Sequence, residues 1–341
     1  MQVEEVPVEE AVGLPLAYDI TEIVPGERKG AVLRRGHLIT ETDVETLRRV
    51  GKSYLRVLKL EEDELHEDEA AALLARLIAG AGIEVVMPGE AWADLRVYKA
   101  GLLKVDSERL LEINLLTELL VATFPSNVPV KKGQVVARAK VRDLSIRREV
   151  LDEAATVVAG RPLVRVEPFR VVRAGAVITG REVCEGRVKD AFAPLIRKRL
   201  EDYGSKLDEV RIVPDTVEDI ASAIAEVLQS GVDLVLVTGG MSPDDCTVAG
   251  MVKSGVELVF HGVPVSPGAM TAVGYVGQTP VIGVPGGLLA KPRGFFDLIL
   301  PRLLAGEKLG KEEVARYGYG GLCWGCKTCV FPACAFGAAG T

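Results

Sequence analysis

The chain has 341 residues, 48% of them hydrophobic, a mean hydropathy of +0.22 and a formal charge of -7. That is apolar material for two or three domains and excludes a disordered chain, while the excess of carboxylates argues against nucleic acid, whose binding draws on a net basic surface. The apolar residues fall in short runs, none near the roughly 20 needed to span a bilayer, and MQVEEVPVEE has neither the basic nor the apolar region of a secretory signal. A cytoplasmic protein with no membrane partner is expected. A small anionic ligand is compatible with the acidic charge, because backbone N–H groups at loops and helix N-termini can hold it.

Residues 1–60 are rich in Val, Leu and Gly, with breaks at Pro25-Gly26, Arg35-Gly36 and Gly51, and predict a small β-rich module. Its stretch LRRGHLITETDVETLRRVGKSYLRVLKL reads as a turn at Gly36, a strand, a short helix and a second strand. Thr42 or Asp43 opens that helix, and Val44, Leu47 and Val50 form its apolar face. Residues 61–164 predict a second, α+β subdomain. Acidic EEDELHEDEA leads into an amphipathic helix stopping at Gly80, LLKVDSERLLEINLL adds helix, and a hairpin turns at Lys132-Gly133.

From Arg165 to Gly306 strands and helices alternate. FRVVRAGAVITG is a buried strand, and DAFAPLIRKRLEDYG places Phe192, Leu195, Ile196, Leu200 and Tyr203 on one helical face before Gly204 closes it. The strand EVRIV follows, then VEDIASAIAEVL with Ile220, Ile224, Val227 and Leu228 inward. VDLVLVTGG is the near-continuous apolar run of a central parallel strand. The expected fold is α/β: a three-layer α/β/α domain with a mostly parallel sheet, preceded by β-rich modules and binding its ligand at the carboxyl ends of the strands.

The most informative stretch for chemistry is VDLVLVTGGMSPDD. At Thr238-Gly239-Gly240 the missing side chains let backbone N–H groups approach a phosphate, Ser242 adds a hydroxyl, and Asp244 and Asp245 add carboxylates. A tight strand-to-helix turn with Asp245 as helix cap would use the same residues.

RAGAVITGREV, GRVKDAF, VPDTVED, LVLVTGGMSPDD, PVSPGAM and VIGVPGG occur in an order that resembles the molybdopterin-binding domain shared by molybdopterin adenylyltransferases and molybdenumtransferases, over about residues 165–306. The resemblance implies a pterin ligand, molybdopterin or molybdenum cofactor, with Mg²⁺ as a candidate co-ligand. Thr179, Gly180 and Glu182 match the turn facing the pterin. Thr238, Gly239, Gly240, Ser242 and Asp244 match the phosphate and pterin loop, and Pro267, Gly268, Pro285 and Gly286 the two later loops. Asp190, Asp215 and Asp245 match functional acids. Asp190 reads equally well as a plain N-cap, and Asp215 as part of a capping box three residues before Glu218. Where molybdenumtransferases carry lysines around the Pro-Gly loop, this chain has Ser266 and Ala269. Lys291 and Arg293 could compensate or be solvated helix-end charges. GLPLAYDITEIVPG resembles the N-terminal region of the molybdenumtransferases. Relatives of the domain assemble as dimers or trimers, so a homo-oligomer is expected.

Residues 307–341 form a Cys-rich tail, GLCWGCKTCVFPACAFG, in which Cys323, Cys326, Cys329 and Cys334 have the spacing C-x2-C-x2-C-x4-C. That is close to the bacterial ferredoxin run and predicts a [4Fe-4S] cluster or tetrahedral zinc, with free or regulatory thiols as the alternative. Cys184 and Cys246 could line the ligand cleft or be buried small hydrophobes. His261 is a possible base or a structural histidine.

These features admit metal insertion into adenylylated molybdopterin, with molybdate as co-substrate. They also admit a carrier delivering finished cofactor to a molybdenum-dependent enzyme. A related branch with a similar TGG…DD loop, hydrolysing pyridine-nucleotide derivatives, does not account for the tail.

Overall fold

The structure, a computed structural model, describes residues 2–24, 28–89 and 91–338; the expected break at Pro25-Gly26 lies outside the described residues. The chain divides into two units, one of Met1–Lys99, Val105–Phe124 and Lys131–Val166, the other of Ala100–Lys104, Pro125–Val130 and Glu167–Thr341.

The first unit is rich in antiparallel strands. Gln2–Pro7 pairs with Tyr54–Lys59, and Leu47 of helix Glu41–Arg49 is buried among Val8, Leu16, Ile39, Leu55 and Val57. That helix is capped by Thr40 rather than by Thr42 or Asp43. The Asp43 carboxylate, three residues in, accepts the Thr40 N–H at 2.8 Å, a capping box whose carboxylate the sequence had offered as the cap itself. A second sheet runs in the order Ile83–Gly89, Trp92–Val97, Val135–Val141, Leu119–Thr123. Helix Glu67–Ile78 packs on it through a face that includes Leu74, Ala75 and Ile78, and ends just short of Gly80. Lys132-Gly133 is a turn, with Gly133 at φ +86°, but not the bend of a hairpin. Val135–Val141 pairs with Trp92–Val97 and Leu119–Thr123, whereas Pro129–Val130 belongs to the second unit and pairs with Gly101 and Leu102 there.

In the second unit, β1 (Arg173–Thr179), β2 (Lys206–Val213), β3 (Leu234–Gly239), β4 (Glu257–His261), β5 (Ala272–Val276) and β6 (Thr279–Pro285) form one sheet of order β2-β1-β3-β6-β5-β4. The first four positions in that order are parallel, and β5 and β4 close the sheet antiparallel. Four helices flank it: α1 (Phe192–Glu201), α2 (Val217–Gln229), α3 (Cys246–Lys253) and α4 (Phe295–Leu304). Because strand side chains alternate, the continuous apolar runs serve two cores. Ala174, Ala176, Ile178, Leu234 and Leu236 pack with Ile196 and Leu200 of α1 and Phe295 and Ile299 of α4. Val177, Val235 and Val237 pack on the other face with Ile220, Ile224 and Val227 of α2 and Met251 of α3. Three α/β/α layers result. Gly175 is required here: a Cβ on it would lie 2.2 Å from Val227 Cγ1.

The topology fixes where a ligand can sit. α1 leaves β1 over one face and α2 returns over the other, so β2 and β3 flank β1 and the order reverses between β1 and β3. The registers Ile178↔Thr238 and Gly239↔Pro285 put the carboxyl ends of β1, β3 and β6 on one edge. A crevice opens at such a reversal.

One buried ion cluster ties α1, α4 and the loop before α4 together. The Asp297 carboxylate is 1% exposed, with Oδ1 2.7 Å from both Arg199 Nε and Arg293 Nη1. Its Oδ2 accepts the Gly294 N–H at 2.9 Å, and Arg199 donates to the Pro292 carbonyl at 2.6 Å. Asp297→Ala strands Arg199 as an uncompensated buried charge and should lower the unfolding free energy in urea by about 3–5 kcal/mol. Tyr203 lies beside this cluster. Burial, and secondarily the Asp297 carboxylate, push its phenol up to about 12. An unfolded tyrosine ionises near pH 10, so the Tyr203 contribution is complete below about pH 10 and is lost as pH rises towards the folded value, at roughly 1.4 kcal/mol per pH unit. Tyr203→Phe should flatten that alkaline decline in urea midpoints.

Candidate functional site

The cleft is built from the strand ends outward. β1 ends in Thr179, which is 7% exposed, and Gly180, at φ +144°, turns the chain into the short helix Arg181–Cys184 that carries Glu182. β3 ends in Gly239 at φ +150°, where a Cβ would lie 1.9 Å from Thr179 Oγ1, so only glycine lets the two strand ends meet. At Gly240 a Cβ would lie 2.2 Å from Asp245 Oδ1. The missing side chain is the space the Asp245 carboxylate occupies. That carboxylate accepts the Ser242 N–H at 2.7 Å, and the Asp245 N–H returns a bond to the Ser242 carbonyl at 2.9 Å. Asp245 takes up the N-cap backbone position of α3 without a side-chain capping bond. The first N–H groups of α3 therefore have no side-chain cap, and Cys246 and Thr247 of that helix line the cleft.

Around this loop lies a cleft of about 570 Å³ that brings together Thr179, Gly180, Glu182, Asp215, Gly239, Gly240, Ser242, Asp244, Asp245, Pro285 and Gly286. Among its lining residues are four carboxylates and no lysine or arginine. Asp215 is exposed and is not the cap of α2. Thr216 takes that part, its Oγ1 accepting the Asp219 N–H at 3.2 Å and donating to Asp219 Oδ2 at 2.6 Å, which leaves the Asp215 carboxylate facing the cleft. Phe192, Val183, Met241, Met270 and Gly287 also line the cleft. The sequence carried no chemical signal for these residues beyond their closeness to the motifs.

Other expected site residues lie elsewhere. Asp190 caps α1, accepting the Phe192 N–H at 2.7 Å through Oδ1 and the Ala193 N–H at 3.1 Å through Oδ2, and is not among the residues lining the cleft. Thr238 is fully buried beneath the loop. Pro267 and Gly268 pack on the start of α4: the Pro267 carbonyl accepts the Phe295 N–H at 2.9 Å, and a Cβ on Gly268 would lie 2.8 Å from Phe295 N. From this loop it is Met270 that reaches the cleft. His261 is structural, its Nε2 2.8 Å from the Met241 carbonyl. Cys184 is exposed and does not line the cleft.

Cys323, Cys326, Cys329 and Cys334 all line a second cavity, of about 610 Å³, together with Ser266, Pro267, Lys291 and Arg293. The two basic residues thus face the tail rather than the acidic cleft. Among the described residues no three His, Cys, Asp or Glu side chains are grouped so as to hold a metal ion, and no helix is long and apolar enough to cross a membrane.

A family model described as "Probable molybdopterin binding domain" matches residues 175–305, and a second, described as a domain of unknown function, matches residues 5–59. The chain is 44% identical over 78 residues to a CinA-like protein of Mycobacterium avium, covering 22% of this chain and 18% of that protein. It therefore spans under a fifth of that curated relative's length. Among solved structures, a molybdopterin biosynthesis MoeA protein from Pyrococcus horikosii is 13% identical at a TM-score of 0.34, over 89% of this chain and 75% of its own. CinA from Thermoplasma acidophilum, described as of unknown function, is 22% identical at a TM-score of 0.31, over 34% of this chain and 89% of its own. Residues 175–305, the span that matches the probable molybdopterin-binding domain, carry the whole of the acidic cleft.

Proposed function

We propose that the acidic cleft binds molybdopterin or the molybdenum cofactor and that the chain acts in the biosynthesis of that cofactor, at metal insertion into adenylylated molybdopterin with molybdate as co-substrate. The observation that carries this reading is the convergence of Glu182, Asp215, Asp244 and Asp245 on one cleft floored by the Gly239-Gly240 turn, within a molybdopterin-binding domain.

An anion entering a cleft with four carboxylates and no basic side chain needs another source of positive charge. Backbone N–H groups of the Gly239–Asp245 loop and the start of α3 supply part of it. Mg²⁺ supplies the rest. This ion is commonly held by one or two carboxylates, water and the substrate's own phosphates, so no cage made of protein groups alone is required. Asp215 and Asp245, on opposite sides of the strand-order reversal, would orient the ion against the phosphates. The tail cysteines supply a separate metal ligand set, for zinc or an iron-sulfur cluster.

The same lack of basic side chains supports a second reading, a carrier that holds finished cofactor for a molybdenum-dependent enzyme. Nothing cationic in the cleft would position a molybdate oxyanion. The two readings separate on turnover. Wild-type protein with adenylylated molybdopterin, molybdate and Mg²⁺ should release metal-loaded cofactor; tight pterin binding with no conversion establishes the carrier. Hydrolysis of pyridine-nucleotide derivatives without pterin binding overturns both.

Asp215→Asn and Asp245→Asn should each reduce conversion by about 100-fold or more, the loss of roughly 3 kcal/mol of transition-state stabilisation, with pterin affinity within a few-fold of wild type because other carboxylates still reach the ion. Chelation of Mg²⁺ should weaken pterin binding by about tenfold or more, about 1.4 kcal/mol, in a fluorescence titration. Gly240→Ala should weaken pterin binding by about tenfold or more in the same titration, since its methyl group displaces the Asp245 carboxylate from the Ser242 N–H and opens the loop.

A further inference from the structure

We propose that Cys323, Cys326, Cys329 and Cys334 hold a [4Fe-4S] cluster in the cavity they share with the Ser266-Pro267 loop. This rests on the reading of the tail as a metal ligand set and is independent of what the acidic cleft binds.

The tail is fastened to the α/β domain on both sides of its ligand run. Before the run, Ser266 N–H donates to the Gly321 carbonyl at 2.9 Å and Cys323 N–H to the Ser266 carbonyl at 2.9 Å, so Leu322 and Ser266 form a parallel bridge. After it, Gly337 N–H donates to the Gly320 carbonyl at 3.0 Å, and Phe336 is buried in the same core as Phe295 and Tyr317. Cys323 and Cys334 are half-buried against that core near these anchors, while Cys326 and Cys329 are exposed on the loop between them. All four still face one cavity of about 610 Å³.

Size and spacing favour a cluster over a single ion. Zinc draws four sulfurs around one point at about 2.3 Å each. A cubane is a body that spaces its ligand sulfurs apart, and the cavity has room for one. The first three cysteines keep the C-x2-C-x2-C pattern of the bacterial ferredoxin run.

The surroundings suit it as well. Four thiolates give the cluster a net negative charge, and Lys291 and Arg293 stand on the cavity wall. Arg293 is held there by Asp297 and by the Phe331 ring, 5.4 Å from its guanidinium carbon. Trp324, Val330 and Phe331 add apolar side chains to the cavity lining. On transfer of a preformed cluster to the chain each thiol releases one proton, and each new sulfur–iron bond replaces the bond that held that iron to a thiolate of the donor, which takes up the proton; no electron is exchanged.

The full chain, reconstituted under anaerobic conditions with iron, sulfide and a thiol reductant, should carry about four iron and four sulfide per chain and a broad brown absorption that dithionite bleaches. The Cys326→Ala/Cys329→Ala double variant alters exposed positions only; it should keep the wild-type circular dichroism and lose the iron. Cys184→Ser, outside the cavity, should keep it. One bound zinc and no iron overturns the cluster while upholding the ligand set. No bound metal overturns the ligand set, and wild-type iron content in the double variant overturns the assignment of these cysteines. None of these results bears on pterin binding, which the titration above reads separately.

Discussion

The packing of Gly239 against the Thr179 hydroxyl, which leaves no room for a Cβ, is the constraint on which the cleft depends. At the reversal of strand order α1 and α2 lie over opposite faces, and the cleft opens beyond the carboxyl ends of β1 and β3. A side chain at Gly239 would force those ends apart, and one at Gly240 would evict Asp245. The two glycines therefore do different work. The first lets the two strand ends meet; the second makes room for a charge at the cleft.

That charge has structural consequences of its own. Because Asp245 bonds to Ser242 N–H, the loop closes on itself and the carboxylate is unavailable as a cap for α3. On the other rim, Thr216 and Asp219 cap α2 between themselves and leave Asp215 free of that task. In both places a helix start is arranged so that an acid faces the cleft. Asp190 shows the opposite arrangement: both its oxygens are taken by backbone N–H groups of α1.

The sequence makes the α/β architecture legible where burial is two-sided. VDLVLVTGG could be read as a central strand because Leu234 and Leu236 serve one core while Val235 and Val237 serve the other, so no polar position interrupts the run. It is less informative where two local patterns compete. Asp215 with Glu218 and Thr216 with Asp219 have the same capping spacing, and only the backbone shows which pair is used. At Thr40 the observed cap lies two residues before the nearest one expected, again because several Thr and Asp residues in succession satisfy the pattern. The side a loop faces is harder still. Ser266-Pro267-Gly268 stands in the motif order where a cleft loop is expected, yet Pro267 lines the cysteine cavity and it is Met270, without any chemical signature, that lines the cleft. Likewise the turn at Gly133 is real as a turn, but strand partners are chosen by distant residues.

The segment from Val263 to Thr271 consequently has two inner surfaces. Ser266 and Pro267 line the cysteine cavity and Met270 lines the acidic cleft, so one short run of backbone contributes to two chambers of similar volume. Neither chamber can be enlarged, closed or reshaped on that side without moving atoms that belong to the other.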